Sequence, residues 1–429
     1  MAKFKERINI CIVGKTNAGK SSLLNLLSGQ KDYAIVDPTP GTTADTVVTL
    51  MEIHNIGPVK LFDTAGIDEQ GELGKKKRRK TFQAIDESDL CLITIDSRRL
   101  LNTNDYFTEE KQIDTYSSNK NKQTLLVFNL FDDSKNLKEI ENSAKKFAEE
   151  LELPYLLLNI SDINNQATLI DFILTNFKFE KNDFTLFPNL NEKGLVLLNI
   201  PMDEETPELR LLRPQDIVVE RLLRNFITPV LFRMNLKKAR STNKSEVEEE
   251  KERFISLINT LKSSSEGLQL IVTDSQAFDI VGQWVPDDIP MTSFSITMTN
   301  FMTYGNLDYL VDSTYKIDDL KDNDLILIAE SCNHNRKCDD IGTQQLPRLL
   351  KNKISDNLLF EFAFGRTFPE NIENYKMIIH CGSCMTDKQK YYSRIQKAKE
   401  KGIPFTNYGM TISYCLNKQL FNRVLEPFK

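Results

Sequence analysis

Residues 14–21 read Gly-Lys-Thr-Asn-Ala-Gly-Lys-Ser, directly behind the apolar run INICIV at 8–13. The spacing G-x-x-x-x-G-K-S/T after a buried strand, with a helical run from Lys20 to Leu27 following, is that of a phosphate-binding loop. Backbone N–H groups from Gly14 through Asn17, Ala18 and Gly19 to Ser21 and Ser22 would cradle phosphates at the helix N-terminus, with Lys20 reaching the outer ones. Ser21 would give its hydroxyl to Mg²⁺. The loop predicts an α/β fold, a doubly wound and mostly parallel sheet over residues 1–176. The short β-rich runs VKLFDTAG, LCLITID, TLLVFNL and PYLLLNIS fit that rhythm.

The same stretch carries the other parts of a nucleotide switch. In PGTTAD (40–45), Thr42 and Thr43 are nucleotide-contacting candidates, and Thr43 can coordinate Mg²⁺ when a γ-phosphate is present. Asp63 ends a strand where a metal-supporting acid belongs, and Gly66 can offer its N–H to the γ-phosphate. Lys20, Thr43 and Gly66 are therefore the candidate catalytic groups. Asn129-Leu130-Phe131-Asp132 stands where Asn-Lys-x-Asp would read guanine; Asn129 and Asp132 keep GTP the expected nucleotide, without the lysine that packs along the base. Ser161 is a candidate for the last base-contacting loop. By resemblance to Ras-like GTPases, Ile67 stands where those proteins carry a water-orienting glutamine, which implies slow hydrolysis, with Glu69 or Glu72 as candidates to position water. The basic run at 75–80 reads as a solvated face of the switch.

Length divides the chain into about three domains. Apolar residues make up 40% and charged residues 27%, enough for several cores, and the net charge of −6 argues against a general nucleic-acid or membrane-surface binder. The N-terminus lacks the features of a signal peptide, and no run reaches the ~18 uncharged apolar residues of a membrane span. A cytoplasmic location with reduced thiols is expected. A second segment, 177–265, shows two strands, GLVLLNIP and ITPVLFRM, and two helices; its open sheet edge predicts a homodimer, the alternative being that it packs against a neighbouring domain of the same chain. A third segment, 266–429, resumes the βα alternation with LQLIVTD, DLILIAE, KMIIH and IPFTNYG. No internal repeat is visible beyond that alternation.

Seven cysteines are unevenly used. Cys11, Cys91 and Cys415 fall in apolar runs, where cysteine acts as a small hydrophobe. Cys332 and Cys338 lie in SCNHNRKC, and Cys381 and Cys384 in HCGSC, each group directly after a buried strand. Ligands of open parallel sheets bind outside the carboxyl ends of strands, so both groups can face one point. A redox pair, a zinc site and an iron–sulfur cluster all suit these residues, and spacing does not separate zinc from iron.

The nucleotide motifs resemble the TrmE/Era-like GTPases. That likeness implies K⁺ held by Asn17 and K⁺-stimulated hydrolysis. Joined to Cys332-x-His334 and His380-Cys381-x-x-Cys384, and to the segments GKTNAGKSSLLN, DTAGIDEQGELG, VTDSQAF, TSFSI and FPENIENYKMIIHCGSCM, the whole chain resembles the [FeFe]-hydrogenase maturation GTPases, the HydF family. The resemblance implies a GTP-binding, a dimerisation and a cluster-binding domain. It implies a [4Fe-4S] cluster on Cys332, Cys381 and Cys384, with His334 or His380 as candidate fourth ligand. It further implies a scaffold for a transient diiron subcluster precursor, delivered to apo-[FeFe]-hydrogenase, and two radical-SAM maturases as partners. Neither nucleic acid nor membrane is an expected partner. The sequence departs from the family at NLFD and in the additional Cys338. The alternative is a TrmE/Era-like GTPase with a C-terminal zinc site, acting in RNA modification or ribosome assembly.

Overall fold

The run Ile8–Val13 forms β1, buried at every residue, because it is the central strand of a six-stranded sheet. In this computed structural model the structure describes residues 7–29, 47–68, 71–102, 105–131, 136–178, 184–202, 211–331, 340–365, 368–383 and 386–429. The chain divides into two compact units, 1–181 and 182–429.

In the first unit β1 is followed by α1 (Lys20–Ser28), β2 (Val47–Ile53), β3 (Gly57–Asp63), α2 (Gly71–Asp86), β4 (Leu90–Asp96), α3 (Thr108–Asn119), β5 (Gln123–Asn129), α4 (Leu137–Leu151), β6 (Tyr155–Leu158) and α5 (Gln166–Asn176). The strand order is β2-β3-β1-β4-β5-β6, parallel throughout except β2, which runs antiparallel to β3. Apolar side chains leave both sheet faces and form two cores, one around Leu23, Ile10 and Ile173, the other around Ile93, Phe128 and Ala144. Near-continuous apolar runs are what a sheet covered on both faces requires. The doubly wound sheet expected from the sequence is thus present. Its edge strand β2 is not among the expected strands.

The second unit begins with β7 (Leu195–Asn199), α6 (Arg213–Arg224), β8 (Thr228–Phe232), α7 (Leu236–Ala239), α8 (Lys244–Lys262), β9 (Leu268–Thr273), α9 (Phe278–Trp284), β10 (Met291–Ser293) and α10 (Phe294–Met302). It continues with α11 (Asp308–Tyr315), β11 (Leu325–Glu330), α12 (Leu346–Lys353), β12 (Leu359–Phe364), β13 (Met377–His380), α13 (Lys388–Glu400), β14 (Phe405–Asn407), α14 (Tyr408–Leu416) and α15 (Lys418–Leu425). The sheet containing β7 and β8 has four strands, not two: β9 and β10, from beyond residue 265, complete it in the order β10-β9-β7-β8. Strand β8 still ends the sheet, with Leu231 exposed upon it.

The remaining sheet has the order β12-β11-β13-β14, which repeats the first sheet strand for strand, and all neighbours in both are parallel. The registers also repeat. Leu197, Ile271 and Met291 lie side by side in one sheet, as Leu327, Ile378 and Phe405 do in the other. The sequences at the last strand and helix agree once so aligned: IPMTSFSITMTNFM (289–302) against IPFTNYGMTISYCL (403–416), identical at Ile289/Ile403, Pro290/Pro404, Thr292/Thr406 and Thr297/Thr411. Ser293 and Asn407 cap the two equivalent helices, accepting from the N–H of Ile296 (3.2 Å) and Met410 (3.1 Å). The second unit therefore contains an internal repeat, contrary to expectation. A single apolar core, from Leu186 to Leu425, runs through both halves. No described helix is long and apolar enough to cross a membrane.

Candidate nucleotide site and cysteine loop

The phosphate loop leaves β1 at Gly14 and enters α1 at Lys20. Asn17 (φ 61°) and Gly19 (φ 103°) adopt left-handed backbone, which turns successive N–H groups inward. At Gly19 a Cβ would also lie 2.5 Å from Ile160 Cδ1 and 2.7 Å from Asn129 Nδ2, so only glycine lets this loop approach the base-side loops. Asn129 Nδ2 donates to the Ala18 carbonyl (3.3 Å), and its Oδ1 accepts from Ile160 N (3.4 Å), tying β5, β6 and the phosphate loop together. Ser161 N donates to Asn159 Oδ1 (2.9 Å). Ser22 lies in the first turn of α1.

Lys20 is buried, and its ammonium rests on the Lys15 carbonyl at 2.8 Å. Ser21 Oγ donates to Asp63 Oδ2 (2.8 Å), which brings the two metal-directed groups together. The other oxygen, Asp63 Oδ1, is buried without a hydrogen-bond partner among the described residues. Burial pushes the Asp63 carboxyl up, against the opposing pull of Ser21 and Lys20. An orphaned acceptor beside a serine hydroxyl at the mouth of a phosphate loop fits Mg²⁺ and its water shell.

Sequence reasoning passed over Asp68. Its Oδ1 accepts from Thr16 N (2.8 Å) and Thr16 Oγ1 (2.9 Å), closing the loop after Asp63 onto the phosphate loop. Burial pushes this carboxyl up, but the Thr16 bonds outweigh it and hold it below the usual carboxylate range. Gly66 lies in the same contact, since a Cβ there would come within 2.1 Å of Thr16 Oγ1. Ile67 is buried and donates its N–H to Gly14 O (3.3 Å). Glu72 is spent on an exposed pair with Lys75 at 2.8 Å. Thr42, Thr43, Glu69 and Asp132 lie outside the described residues.

In the second unit β11 and β13 are parallel neighbours, with Ala329 opposite His380. Cys381 N donates to Ala329 O (2.9 Å), so the ladder carries one residue past the strand. The half-buried Cys381 Sγ accepts from Ser331 N (3.3 Å) and Ser383 N (3.4 Å). Ser331 immediately precedes Cys332 in the chain, so the two cysteine loops leave the same ends of adjacent strands. Two N–H groups on one sulfur favour a thiolate, as second-sphere donors do at metal–sulfur centres. The donor chemistry around Cys381 therefore fits an iron–sulfur cluster. Cys332, His334, Cys338 and Cys384 lie outside the described residues, among which no three His, Cys, Asp or Glu are gathered as a metal site. Cys91 and Cys415 behave as core: burial pushes each thiol up to about 12. Cys11 is buried in β1 and raised likewise.

His380 does not present itself as a ligand. It is fully buried, and Arg394 donates to its Nε2 at 2.7 Å. An arginine can only donate, so Nε2 is the accepting nitrogen and the proton sits on Nδ1, 2.9 Å from Cys381 O. Burial, then the neighbouring guanidinium, drive its pKa down to about 3. With both nitrogens committed, His380 positions the Cys381 backbone. Of the two histidines considered for a fourth corner, this geometry disfavours His380.

A phosphate loop on a doubly wound sheet, followed by a repeated α/β unit with a cysteine loop, defines a GTPase domain joined to a second module. The chain matches the family model "50S ribosome-binding GTPase" over residues 9–130. It then matches "Hydrogen maturase F dimerization domain" over 186–302 and "Hydrogen maturase F tetramerization domain" over 308–427. The last two together span more than half of the chain, which belongs to the hydrogen maturase F family. The tRNA modification GTPase MnmE of Acetivibrio thermocellus is 34% identical over 207 residues, 48% of this chain and 42% of that protein. GTPase Der of Clostridium botulinum strain Hall is 32% identical over 152 residues, 34% of this chain and 32% of its own length. The chain thus spans less than half of either relative. A solved structure of Era with MgGDPNP and a 16S ribosomal RNA segment is 26% identical, covering 42% of this chain and 59% of that one, with a TM-score of 0.34.

Proposed function

We propose that the chain is a slow, K⁺-stimulated GTP hydrolase and an iron–sulfur scaffold in maturation of the [FeFe]-hydrogenase active site. It would hold a diiron precursor for delivery to apo-hydrogenase, working with two radical-SAM maturases. What supports the scaffold reading is the meeting of Cys381 and Ser331, the neighbour of Cys332, at the ends of paired strands in a maturase F chain. Cys332, Cys381 and Cys384 would hold a [4Fe-4S] cluster. The cluster would supply an iron–sulfur centre open to ligand exchange, at which cargo would be held. The protein's part is to fix Cys381 through His380 and Arg394, and to donate N–H groups from Ser331 and Ser383 to the sulfur.

In the GTPase domain Lys20 would leave the Lys15 carbonyl for the β- and γ-phosphates, and Ser21 with Asp63 would hold Mg²⁺. Asn17 would bind K⁺. Self-association would use the edge of β8, where Leu231 and the adjoining Leu223 and Phe226 are exposed.

Protein purified without oxygen should contain about four irons with matching sulfide per chain and give a reduced-cluster EPR signal. Zinc without sulfide would replace this reading with a zinc site. Lys20→Ala should abolish GTP turnover, and equal rates in KCl and NaCl would remove the potassium role of Asn17.

A further inference from the structure

The repeat in the second unit places two loop–helix contacts in equivalent positions. Aligned through the sheets, Ser275 corresponds to Gly382 after the third strand, and Ser295 corresponds to Gly409 at the start of the last helix. The contacts exchange partners between halves. Gly409 lies against Ser275 of the first half, where a Cβ would fall 2.8 Å from its Oγ. Gly382 lies against Ser295, where a Cβ would fall 3.2 Å from its Oγ and 3.3 Å from its Cα. Reciprocal contacts between equivalent residues are the mark of an approximate two-fold. Each contact contains one serine and one glycine, with the roles reversed.

Gly382 directly follows Cys381 and is the middle residue of the sequence His380-Cys381-Gly382-Ser383-Cys384, and Ser295 comes from the half that carries the dimerization match. Ser295 is itself held. Asn407 Nδ2 donates to its Oγ (2.9 Å) and reaches Thr299 Oγ1 (3.0 Å). The first half grips the same loop further along. Arg213, at the start of α6, donates to Thr386 O (2.9 Å), and the Lys388 ammonium lies 3.8 Å from the Phe301 ring centre and 4.3 Å from that of Tyr304. Residues 382, 386 and 388 are thus anchored from across the interface between halves. The equivalent contact, around Asp274 and Ser275, carries no cysteine.

We propose that the first half of this unit, besides its part in self-association, is the wall of the cysteine loop, and that Ser295 is a positioning residue that aims Cys381 by seating Gly382. The inference rests on Cys381 being a cluster ligand. A serine at 382 would crowd Ser295, its Cβ 3.2 Å from the Oγ, so that one of the two must shift by a few tenths of an ångström, whereas a serine at 382 above a glycine at 295 recreates the serine–glycine pairing the other half already makes.

The test compares the parent chain with Gly382→Ser, Ser295→Gly and the double variant. Alkylation of Cys381 is followed by peptide mass spectrometry on iron-free protein; iron content and reduced EPR are measured after reconstitution. Gly382→Ser should speed Cys381 alkylation about tenfold and lower iron content by a similar factor, as expected for overpacking against Ser295. The double variant should return both to within about twofold of the parent, with the parent EPR line shape. Ser295→Gly alone, which creates no clash, should fold as the parent does and speed alkylation about threefold. Parent-like alkylation in Gly382→Ser, or a double variant as impaired as the single, would overturn the inference. If the parent chain takes up no iron, the cluster reading fails, while the alkylation rates still decide whether the wall exists.

Discussion

The two halves of the second unit share strand order, register and capped last helix, yet only one carries cysteines behind its third strand. After the third strand, one reads Thr273-Asp274-Ser275 and the other His380-Cys381-Gly382. In the first, the polar groups pair within the loop and with adjacent strands: Asp274 accepts from Gln276 N (3.3 Å), Thr273 Oγ1 accepts from Asn199 (2.9 Å), and Ser275 Oγ donates to Ser293 Oγ (2.8 Å). In the second, a buried arginine and histidine hold the backbone while N–H groups converge on a sulfur. The scaffold is common to both halves, and the proposed cluster function would rest in three or four loop residues placed upon it.

The largest difference between the halves should be in metal binding. Cys381→Ser should reduce iron to background after reconstitution, whereas Asp274→Ala, at the equivalent position, should leave it unchanged. Iron and sulfide assays on both proteins decide this. Next comes the buried polar pair. Arg394→Leu strips His380 Nε2 of its donor in a fully buried place, and should lower stability by about 2 kcal/mol in urea titration. Thr273→Val, its nearest equivalent, should cost about 1 kcal/mol.

The sheet edges extend the comparison. β8 and β12 are equivalent edge strands, and each exposes apolar side chains, Leu231 on one and Leu359 with Phe362 on the other. Leu231→Lys should weaken dimerisation about tenfold in sedimentation experiments. Phe362→Lys should leave the dimer intact and weaken only a larger assembly; loss of the dimer would instead place its interface at β12. The smallest effect is that of Asp274→Ala on stability, about 0.5 kcal/mol for loss of the bond from Gln276 N, read as a shift in thermal midpoint.

Much of the first unit was legible because its signals are local. β1, the phosphate loop and α1 are contiguous, so spacing alone carries the geometry of Gly19, Lys20 and Ser21. Asp68 was missed because its role is a contact with Thr16, 52 residues away. β2, β10 and β12 escaped for different reasons. β2 and β12 are edge strands with one side exposed, and β10 has only three residues. The repeat escaped because its halves share little beyond apolar character, and parallel sheets accept any well-packed apolar residues. Only register puts Ile271 and Ile378 in the same place.

By itself the sequence determined which chemistry was available: a phosphate loop with its metal-directed serine and aspartate, and cysteines placed behind buried strands. Such motifs are set by residue type and short spacing, and they survive being read in one dimension. Tertiary structure alone decided which loops meet, that His380 faces Arg394, and that Ser295 of one half lies against Gly382 of the other. Those are contacts between residues 14 and 87 positions apart, and only packing of the sheets and helices brings them together.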